Sequence, residues 1–198
     1  MSQAAWALLC FYAIHSLLLL PKAQLGFRQW FKLSAKQYRL FYNVLSVLLF
    51  SGVVYLAIIE PKNYFIEYNR IKRFLAGLLL YFAFKLAYRG FKSYNLSIFL
   101  GLKEEVQMPL NTGGMNQYIR HPLYTASIVF FLALFVSSSH QVFLEFLLIT
   151  LLYVPIGYSL EEKRMLKHFP EYQQYAAQTP ALWPKFKQLG PWFKEIWK

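Results

Sequence analysis

Residues 123–159 read LYTASIVFFLALFVSSSHQVFLEFLLITLLYVPIGYS, a stretch in which Glu145 is the only residue that carries a formal charge at pH 7. A helix needs about 20 mostly apolar residues to cross a hydrocarbon layer of about 30 Å. The polar run around His140 divides the stretch into two such segments, residues 123–138 and 142–159. The sequence therefore predicts a pair of membrane helices joined by a short turn.

Three further apolar runs precede this pair, at residues 4–20, 40–59 and 74–91. All five runs are continuous rather than alternating, which is typical of membrane helices and not of the strands of a membrane barrel. The composition agrees, because 57% of the 198 residues are hydrophobic and 20% are aromatic, more than a soluble domain usually carries. We therefore predict an all-α, polytopic membrane protein with about five transmembrane helices.

The first run is interpreted as a retained membrane helix. No basic residue precedes it, and no small-residue cleavage site of a secretory signal follows Leu20. The sequence has no internal repeat and no linker long enough to separate two folding units. Residues 1–198 are therefore predicted to form a single domain.

Basic residues are unevenly distributed among the connections between the runs. Those of the first connection, the third connection and the C-terminal tail are Lys22, Arg28, Lys32, Lys36, Lys92, Lys103, Arg120, Lys163, Arg164, Lys167, Lys185, Lys187, Lys194 and Lys198. The fourth connection, near His140, has no Lys or Arg. Because cytoplasmic loops carry an excess of Lys and Arg, the N-terminus is predicted outside and the C-terminus in the cytoplasm.

The second connection fits this orientation less well, since its basic residues would lie outside, diluted by two acidic ones. These residues are Lys62, Arg70, Lys72 and Arg73, with Glu60 and Glu67. The net charge of the chain is +12. With the basic residues placed beside membrane helices, this charge indicates anionic lipid headgroups rather than nucleic acid as the partner.

Two segments are predicted to lie at the cytoplasmic surface without crossing. Residues 22–31 combine aromatic and basic side chains in the way of a short amphipathic helix in the membrane interface. Residues 160–177 are predicted as a polar helical hairpin or a helix broken at Pro170, because proline lacks an amide proton and clashes with the preceding turn.

Polar side chains from all five predicted helices fall at the cytoplasmic ends. They are His15, Arg39, Asn43, Lys85, Arg89, Arg120, His121, Glu161 and Glu162. Ionisable groups inside a membrane are costly, so this placement indicates a site. For single residues a structural interpretation must be weighed: extension to lipid headgroups is the commoner role of basic residues such as Lys85 and Arg89 at a helix end and is favoured for them, and Asn43 can form a hydrogen bond between helices.

Two kinds of site are disfavoured. The four histidines, His15, His121, His140 and His168, include no pair at a metal-ligand spacing, so no metal site is predicted. The sequence contains no aspartate and no Gly-x-Ser-x-Gly turn, which argues against a Ser-His-Asp hydrolase. The single cysteine, Cys10, excludes an intrachain disulfide.

Two stretches on either side of the helix pair carry a resemblance. Residues 113–124 read GGMNQYIRHPLY and residues 161–175 read EEKRMLKHFPEYQQY. Together they resemble the integral membrane methyltransferase superfamily of isoprenylcysteine carboxyl methyltransferases, phospholipid N-methyltransferases and methanethiol S-methyltransferases. The shared pattern is Arg-His-Pro-x-Tyr, a two-helix hairpin and then Glu-Glu. The chain departs from it at Gly114-Met115-Asn116, where relatives commonly have Gly-Pro-Tyr, and at Pro170, where they have glycine.

The resemblance implies a methyltransferase that uses S-adenosylmethionine, bound by roughly residues 110–184 at the cytoplasmic face of a multi-pass membrane protein. The residues it assigns to the cofactor are Gly114, Tyr118, Arg120, His121, Pro122, Tyr124, Glu161, Glu162, Phe169 and Tyr172. Arg39 and Asn43 are hypothesised to line the acceptor side, and together with Arg120 they are the candidate catalytic residues. The acceptor is expected to be a small molecule or a lipophilic one, such as a thiol, a prenylcysteine carboxylate or a lipid amine.

The residue types suit such a cofactor. Arg120 and His121 can donate to a carboxylate, and the two glutamates can accept from ribose hydroxyls or an ammonium. Tyrosines can face a sulfonium by cation-π attraction. Two rival functions stay open at this stage, a sterol-reductase-like membrane oxidoreductase and a non-enzymatic membrane protein in which the polar residues only organise helices.

Overall fold

The computed structural model describes residues 1–61, 63–65, 69–104 and 109–198, and within these ranges the chain is helical, with one isolated bridge between Tyr64 and His140. The α-helices are α1 (Gln3–Leu19), α2 (Pro21–Trp30), α3 (Ala35–Ile59), α4 (Arg70–Phe91), α5 (Leu96–Phe99), α6 (Pro122–Ser138), α7 (Gln141–His168), α8 (Tyr172–Gln178) and α9 (Leu189–Trp197). Two 3-10 helices are Gly114–Gln117 and Phe186–Gln188. The predicted all-α class is confirmed for the described residues.

Each of the five predicted apolar runs lies in a helix, namely α1, α3, α4, α6 and α7. Three of these helices, α3, α4 and α7, are long and apolar enough to cross a membrane. Helices α1 and α2 together meet the same criteria but are bent by 78° where they join, and α6 is a shorter apolar helix. The described residues thus contain three candidate membrane spans, or four if α1 and α2 together form a single bent span.

Helix α3 shows most clearly why the chain suits a membrane. Only 6% of its most apolar window is buried within the protein. Val47, Leu48 and Ile58 are each more than 60% exposed. An apolar surface of this extent is unfavourable in water but is compatible with contact to lipid chains. A helix also suits a lipid environment because its backbone polar groups bond to one another within the segment.

Local sequence fixes the helix ends near the predicted site. Pro122 is the first residue of α6, where its missing amide proton costs nothing. Helix α7 extends beyond the predicted span and ends at His168, and α8 begins at Tyr172. The break contains Pro170, which disfavours helical backbone at the residue before it. The predicted interruption at this proline is therefore seen, while the membrane position of this segment and of α2 stays a prediction.

The described chain divides into two compact units. The first consists of Met1–Lys62 and Asn95–Met108. In it, α1 packs on α3, and the Glu60 carboxylate accepts hydrogen bonds from the backbone N–H groups of Gln3 (3.2 Å) and Ala4 (3.4 Å). The N–H groups in the first turn of a helix have no acceptor within the helix, and the Glu60 carboxylate supplies one for α1. Lys62 and Glu67, both named in the charge argument above, lie outside the described residues.

The second unit consists of Asn63–Tyr94 and Pro109–Lys198. Its core contains Leu86 of α4, Ala126 of α6, the fully buried Met115 and Ile119, and Trp192 and Ile196 of α9. Helix α9 is also held by a buried ion pair between Arg89 and Glu195. Hydrogen bonds from Lys198 and Arg89 outweigh the effect of burial and lower the pKa of Glu195. The C-terminal helix is therefore part of the core of this unit.

Candidate functional site

The second unit brings the two sequence motifs together. Arg120 and His121 directly precede α6, and Glu161 and Glu162 lie in the last turns of α7. Helices α6 and α7 pack against each other and are joined by the short turn at Ser139 and His140. Because the two helices form a hairpin, the start of α6 and the distal part of α7 meet at the same end.

The carboxylate of Glu162 is the centre of this cluster. Its Oε1 atom accepts a hydrogen bond from Arg120 Nε at 2.7 Å and also lies 2.7 Å from Arg120 Nη2. The same oxygen lies 2.8 Å from His121 Nε2. The side chains are 12% (Arg120), 5% (His121) and 19% (Glu162) exposed. One oxygen atom thus joins both residues of the first motif to the second motif.

His121 is held on its other sides as well. Its Nδ1 atom lies 3.7 Å from Glu161 Oε2. Its ring stacks on Tyr158, with the ring centres 5.3 Å apart and the planes at 21°, and meets the edge of Tyr124 at 5.7 Å. Tyr124 in turn lies against Gly157, where any side chain would collide with its hydroxyl group. The imidazole is therefore fixed in orientation by packing and by both glutamates.

Arg120 also ties the segment after α8 to the site. Its Nη1 atom donates to the carbonyl oxygens of Ala176 (2.9 Å) and Thr179. The backbone N–H groups of Arg120 and His121 donate to Pro180 O (2.9 Å) and Ala181 O (3.0 Å). Sequence reasoning missed these partners, since a carbonyl oxygen leaves no signature in the sequence. The guanidinium is thus engaged on both sides and positions Glu162.

Two tyrosines of α8 complete this part of the site. Tyr172 is buried, and the Tyr175 hydroxyl donates to Asn116 O at 2.6 Å. Burial raises the pKa of Tyr175 to about 12; the positive charge of Arg120 acts against this increase and the negative charge of Glu162 adds to it. Burial and the charge of Glu162 likewise raise the pKa of Tyr172. Both hydroxyl groups therefore keep their protons at neutral pH. Of the two, the sequence assignment included Tyr172 but not Tyr175.

The loop before Arg120 borders an open polar cleft. The cleft measures about 350 Å³ and is lined by Leu110, Thr112, Gln117, Glu171, Gln174, Tyr175, Gln178 and Thr179. Gly114 has a φ of +58°, a backbone conformation that favours glycine, and no atom lies within 4 Å of where its side chain would be. The loop is held by Asn111 and Asn116, whose side chains bond to backbone carbonyls. Tyr175 and Thr179 thus connect the cleft to the Arg120 cluster.

The remaining predicted residues divide between the two units. Tyr118 packs against the core of the second unit, Pro122 is buried at the start of α6, and Phe169 caps the end of α7. In the first unit, Arg39 donates to Ile98 O (3.0 Å) and Asn43 donates to Phe99 O (2.9 Å). These bonds hold the end of α5 on α3, and the acceptor role of Arg39 and Asn43 stays a prediction.

Comparison with known proteins fits this arrangement. A family model described as NnrU protein matches residues 4–185. The chain belongs to the NnrU family. The match includes most of both units and ends before α9 of this NnrU-family chain.

A methanethiol S-methyltransferase of Crocosphaera subtropica (strain ATCC 51142 / BH68) is 33% identical to this NnrU-family chain over 84 residues. The matched stretch covers 41% of the chain and 32% of that relative, about a third of its length. No solved structure matches the chain. The two matches confirm the resemblance to the integral membrane methyltransferase superfamily.

Proposed function

We propose that this NnrU-family protein is a membrane methyltransferase that transfers the methyl group of S-adenosylmethionine to a small or lipophilic acceptor. The observation that carries the proposal is the convergence of Arg120 and His121 on one carboxylate oxygen of Glu162 beside a polar cleft. The name of the methanethiol S-methyltransferase relative supports the reaction class. The acceptor classes considered are a thiol, a prenylcysteine carboxylate and a lipid amine.

The chemistry of the donor set fits such a cofactor. Among the described residues, every hydrogen bond to the Glu162 carboxylate goes to Oε1, which leaves Oε2 to accept from a ribose diol or an ammonium. Glu161 is 36% exposed and supplies a second carboxylate. Tyr172 and Tyr175, protonated at neutral pH, offer aromatic faces to a sulfonium. Gly114 leaves room for close approach of a ligand to the backbone.

S-adenosylmethionine, when bound, supplies an electrophilic methyl group on a sulfonium. The chain's own contribution is positional. Arg120 and His121 hold the Glu162 carboxylate in one orientation, and Arg120 fixes α8 through Ala176 O and Thr179 O. A site ordered before binding loses less entropy on aligning the reactants, and this alignment contributes to the rate of a displacement reaction.

The proposed topology has five crossings, by α1, α3, α4, α6 and α7, with the N-terminus outside and the C-terminus and site in the cytoplasm. Helices α1 and α6 have 17 residues each, which at a rise of about 1.5 Å per residue is slightly short of the hydrocarbon thickness. Local thinning of the bilayer accommodates such a mismatch at small cost. Helix α2 is proposed to lie in the cytoplasmic interface. The distribution of Lys and Arg supports this orientation.

A methyl-transfer assay tests the proposal. The purified protein in nanodiscs is incubated with methyl-labelled S-adenosylmethionine and a panel of thiols, prenylcysteines and amino-headgroup lipids. We expect the label to appear in one acceptor class and to be lost in Glu162→Gln. Glu145→Gln is the matched control, because Glu145 lies in α7 near its opposite end, where its carboxylate accepts a hydrogen bond from Gln141 Nε2 at 3.0 Å. Transfer by Glu162→Gln equal to that of the native protein would reject the proposed site.

A further inference from the structure

A second polar cluster lies within the apolar helices of the first unit. Tyr42 Oη of α3 lies 2.6 Å from Nε2 and 2.8 Å from Nδ1 of His15 in α1. Ser46 Oγ, one turn further along α3, lies 3.2 Å from His15 Nδ1. Tyr42 is buried, and His15 and Ser46 are half-buried. We call His15, Tyr42 and Ser46 the α1/α3 trio. The sequence analysis named only His15 of the three, and the methyltransferase proposal assigns a role to none of them.

The trio has a polar group to offer. With the ring proton on Nδ1, His15 donates to Ser46 Oγ and accepts from Tyr42 at Nε2. The Ser46 hydroxyl then keeps its own proton for a further acceptor. A polar group between apolar helices is costly unless it has a partner. An ionisable residue such as His15 within a membrane helix often marks a substrate or ion pathway.

An apolar groove between α1 and α3 begins beside the trio. It measures about 310 Å³, and its walls include Phe11 and Ile14 of α1 and Leu49 and Val53 of α3. The Phe11 ring lies 5.4 Å from the His15 ring, so the trio is at one end of the groove. Gly52 lies along the groove, and no atom is within 4 Å of where its side chain would be. The absence of a side chain at Gly52 keeps the groove open.

We propose that this groove binds a single-chain lipid whose uncharged oxygen head group, a hydroxyl or a carbonyl, is received by the α1/α3 trio. Of the two helices that border the groove, α3 is a candidate membrane span and α1 meets the criteria together with α2, so lipid chains rather than water are expected to surround the groove. The groove lining and the trio contain no Lys, Arg, Asp or Glu, which disfavours a charged head group. The inference uses only the first unit and is independent of methyl transfer.

Photo-crosslinking tests the groove. The probe is a hexadecanol that carries a diazirine in its chain, added to the protein in nanodiscs, and labelled peptides are identified by mass spectrometry. We expect saturable labelling of α1 and α3 that falls more than about tenfold in Gly52→Leu, because Gly52 lines the groove, the Cβ of a new side chain there meets no other atom, and the rest of a leucine occupies space that the lipid chain needs. Gly77→Leu is the matched control, since Gly77 is a helical glycine of α4 with equally open surroundings.

The outcomes separate a site from ordinary lipid contact. Equal labelling of the native protein and Gly52→Leu would overturn the proposal, as would an equal loss in Gly77→Leu. If Gly52→Leu does not fold, Gly52→Ala provides the same comparison with a smaller expected loss, and native labelling in it would count against the groove.

The head-group interaction is tested by Ser46→Ala in the same assay. Loss of one hydrogen bond is expected to weaken hexadecanol labelling about fivefold. The same probe with a methyl terminus in place of its hydroxyl should label the native protein as weakly as hexadecanol labels Ser46→Ala. If the hydroxyl and methyl probes label the native protein equally, the groove contacts only lipid chains and the proposed site is rejected.

Discussion

Glu162→Gln is expected to weaken binding of S-adenosylhomocysteine by at least about tenfold, since a hydrogen bond to a charged group contributes about 1.5–3 kcal/mol. In the native protein, Glu162 Oε1 is shared by Arg120 and His121. The amide of glutamine has no charge and only one oxygen, so it cannot both satisfy this pair and accept from a ligand. Isothermal titration calorimetry of the protein in detergent measures the change.

The matched control for this prediction is Glu161→Gln. Glu161 approaches His121 only at 3.7 Å and is 36% exposed, so its replacement removes a weaker contact. We expect its effect on affinity to be clearly smaller than that of Glu162→Gln, with the melting temperature of both variants measured in parallel. If the two variants bind alike, Glu162 does not have the central position assigned to it here.

Trp192→Ala is expected to have the largest effect on stability, about 3–5 kcal/mol, the usual cost of removing a buried aromatic side chain. Trp192 is 2% exposed and packs in the core with Met115, which lies in the 3-10 helix Gly114–Gln117, and with Ile119, which directly precedes Arg120. Without Trp192, Met115 and Ile119 lose a packing partner and the segment that precedes Arg120 becomes less well ordered. The affinity for S-adenosylhomocysteine should therefore fall as well. Unfolding in detergent mixtures of increasing denaturant content measures the stability change.

Trp30→Ala serves as the comparison for this variant. Trp30 is 84% exposed at the end of α2, so its removal leaves no cavity. We expect unfolding of Trp30→Ala within about 0.5 kcal/mol of the native protein, as for other exposed positions. A Trp192→Ala protein as stable as Trp30→Ala would show that α9 is not part of the core.

The apolar helices are the part of the fold that the sequence predicted best. Hydropathy locates them because each apolar run must be about as long as the bilayer is thick. It does not locate helix ends made of polar residues. The end of α7 is an example, since residues 160–168 are polar and yet continue the helix to His168. Pro155 lies inside the same helix without ending it, although proline usually interrupts a helix.

The residues of the candidate site were proposed from motifs, and their connections were not predicted. The motifs placed Arg120 and His121 at the same edge as Glu162, because a helical hairpin returns the chain to the same end, but assigned them as donors to a cofactor carboxylate. In the structure both lie in contact with the Glu162 carboxylate. The bonds from Arg120 to Ala176 O and Thr179 O are made to backbone carbonyls, which any residue possesses. No residue pattern could have shown that the guanidinium is engaged within the chain.

Helix α9 is the element that sequence reasoning did not predict. The tail was interpreted only through its Lys residues, which support the cytoplasmic orientation. The apolar side chains between them, Trp192 and Ile196, are spaced four residues apart and lie on one face of a helix. That spacing indicates an amphipathic helix, but nine residues are too few to distinguish it from an irregular tail. Its place in the core depends on tertiary contacts with α4 and with the 3-10 helix Gly114–Gln117.

Titration of the native, folded protein with S-adenosylhomocysteine tests the central claim most directly. The account predicts saturable binding to one site per chain, competed by S-adenosylmethionine and not by adenosine triphosphate or a reduced nicotinamide cofactor. A folded protein that gives no binding signal at millimolar S-adenosylhomocysteine, or binds the nicotinamide cofactor instead, would contradict it.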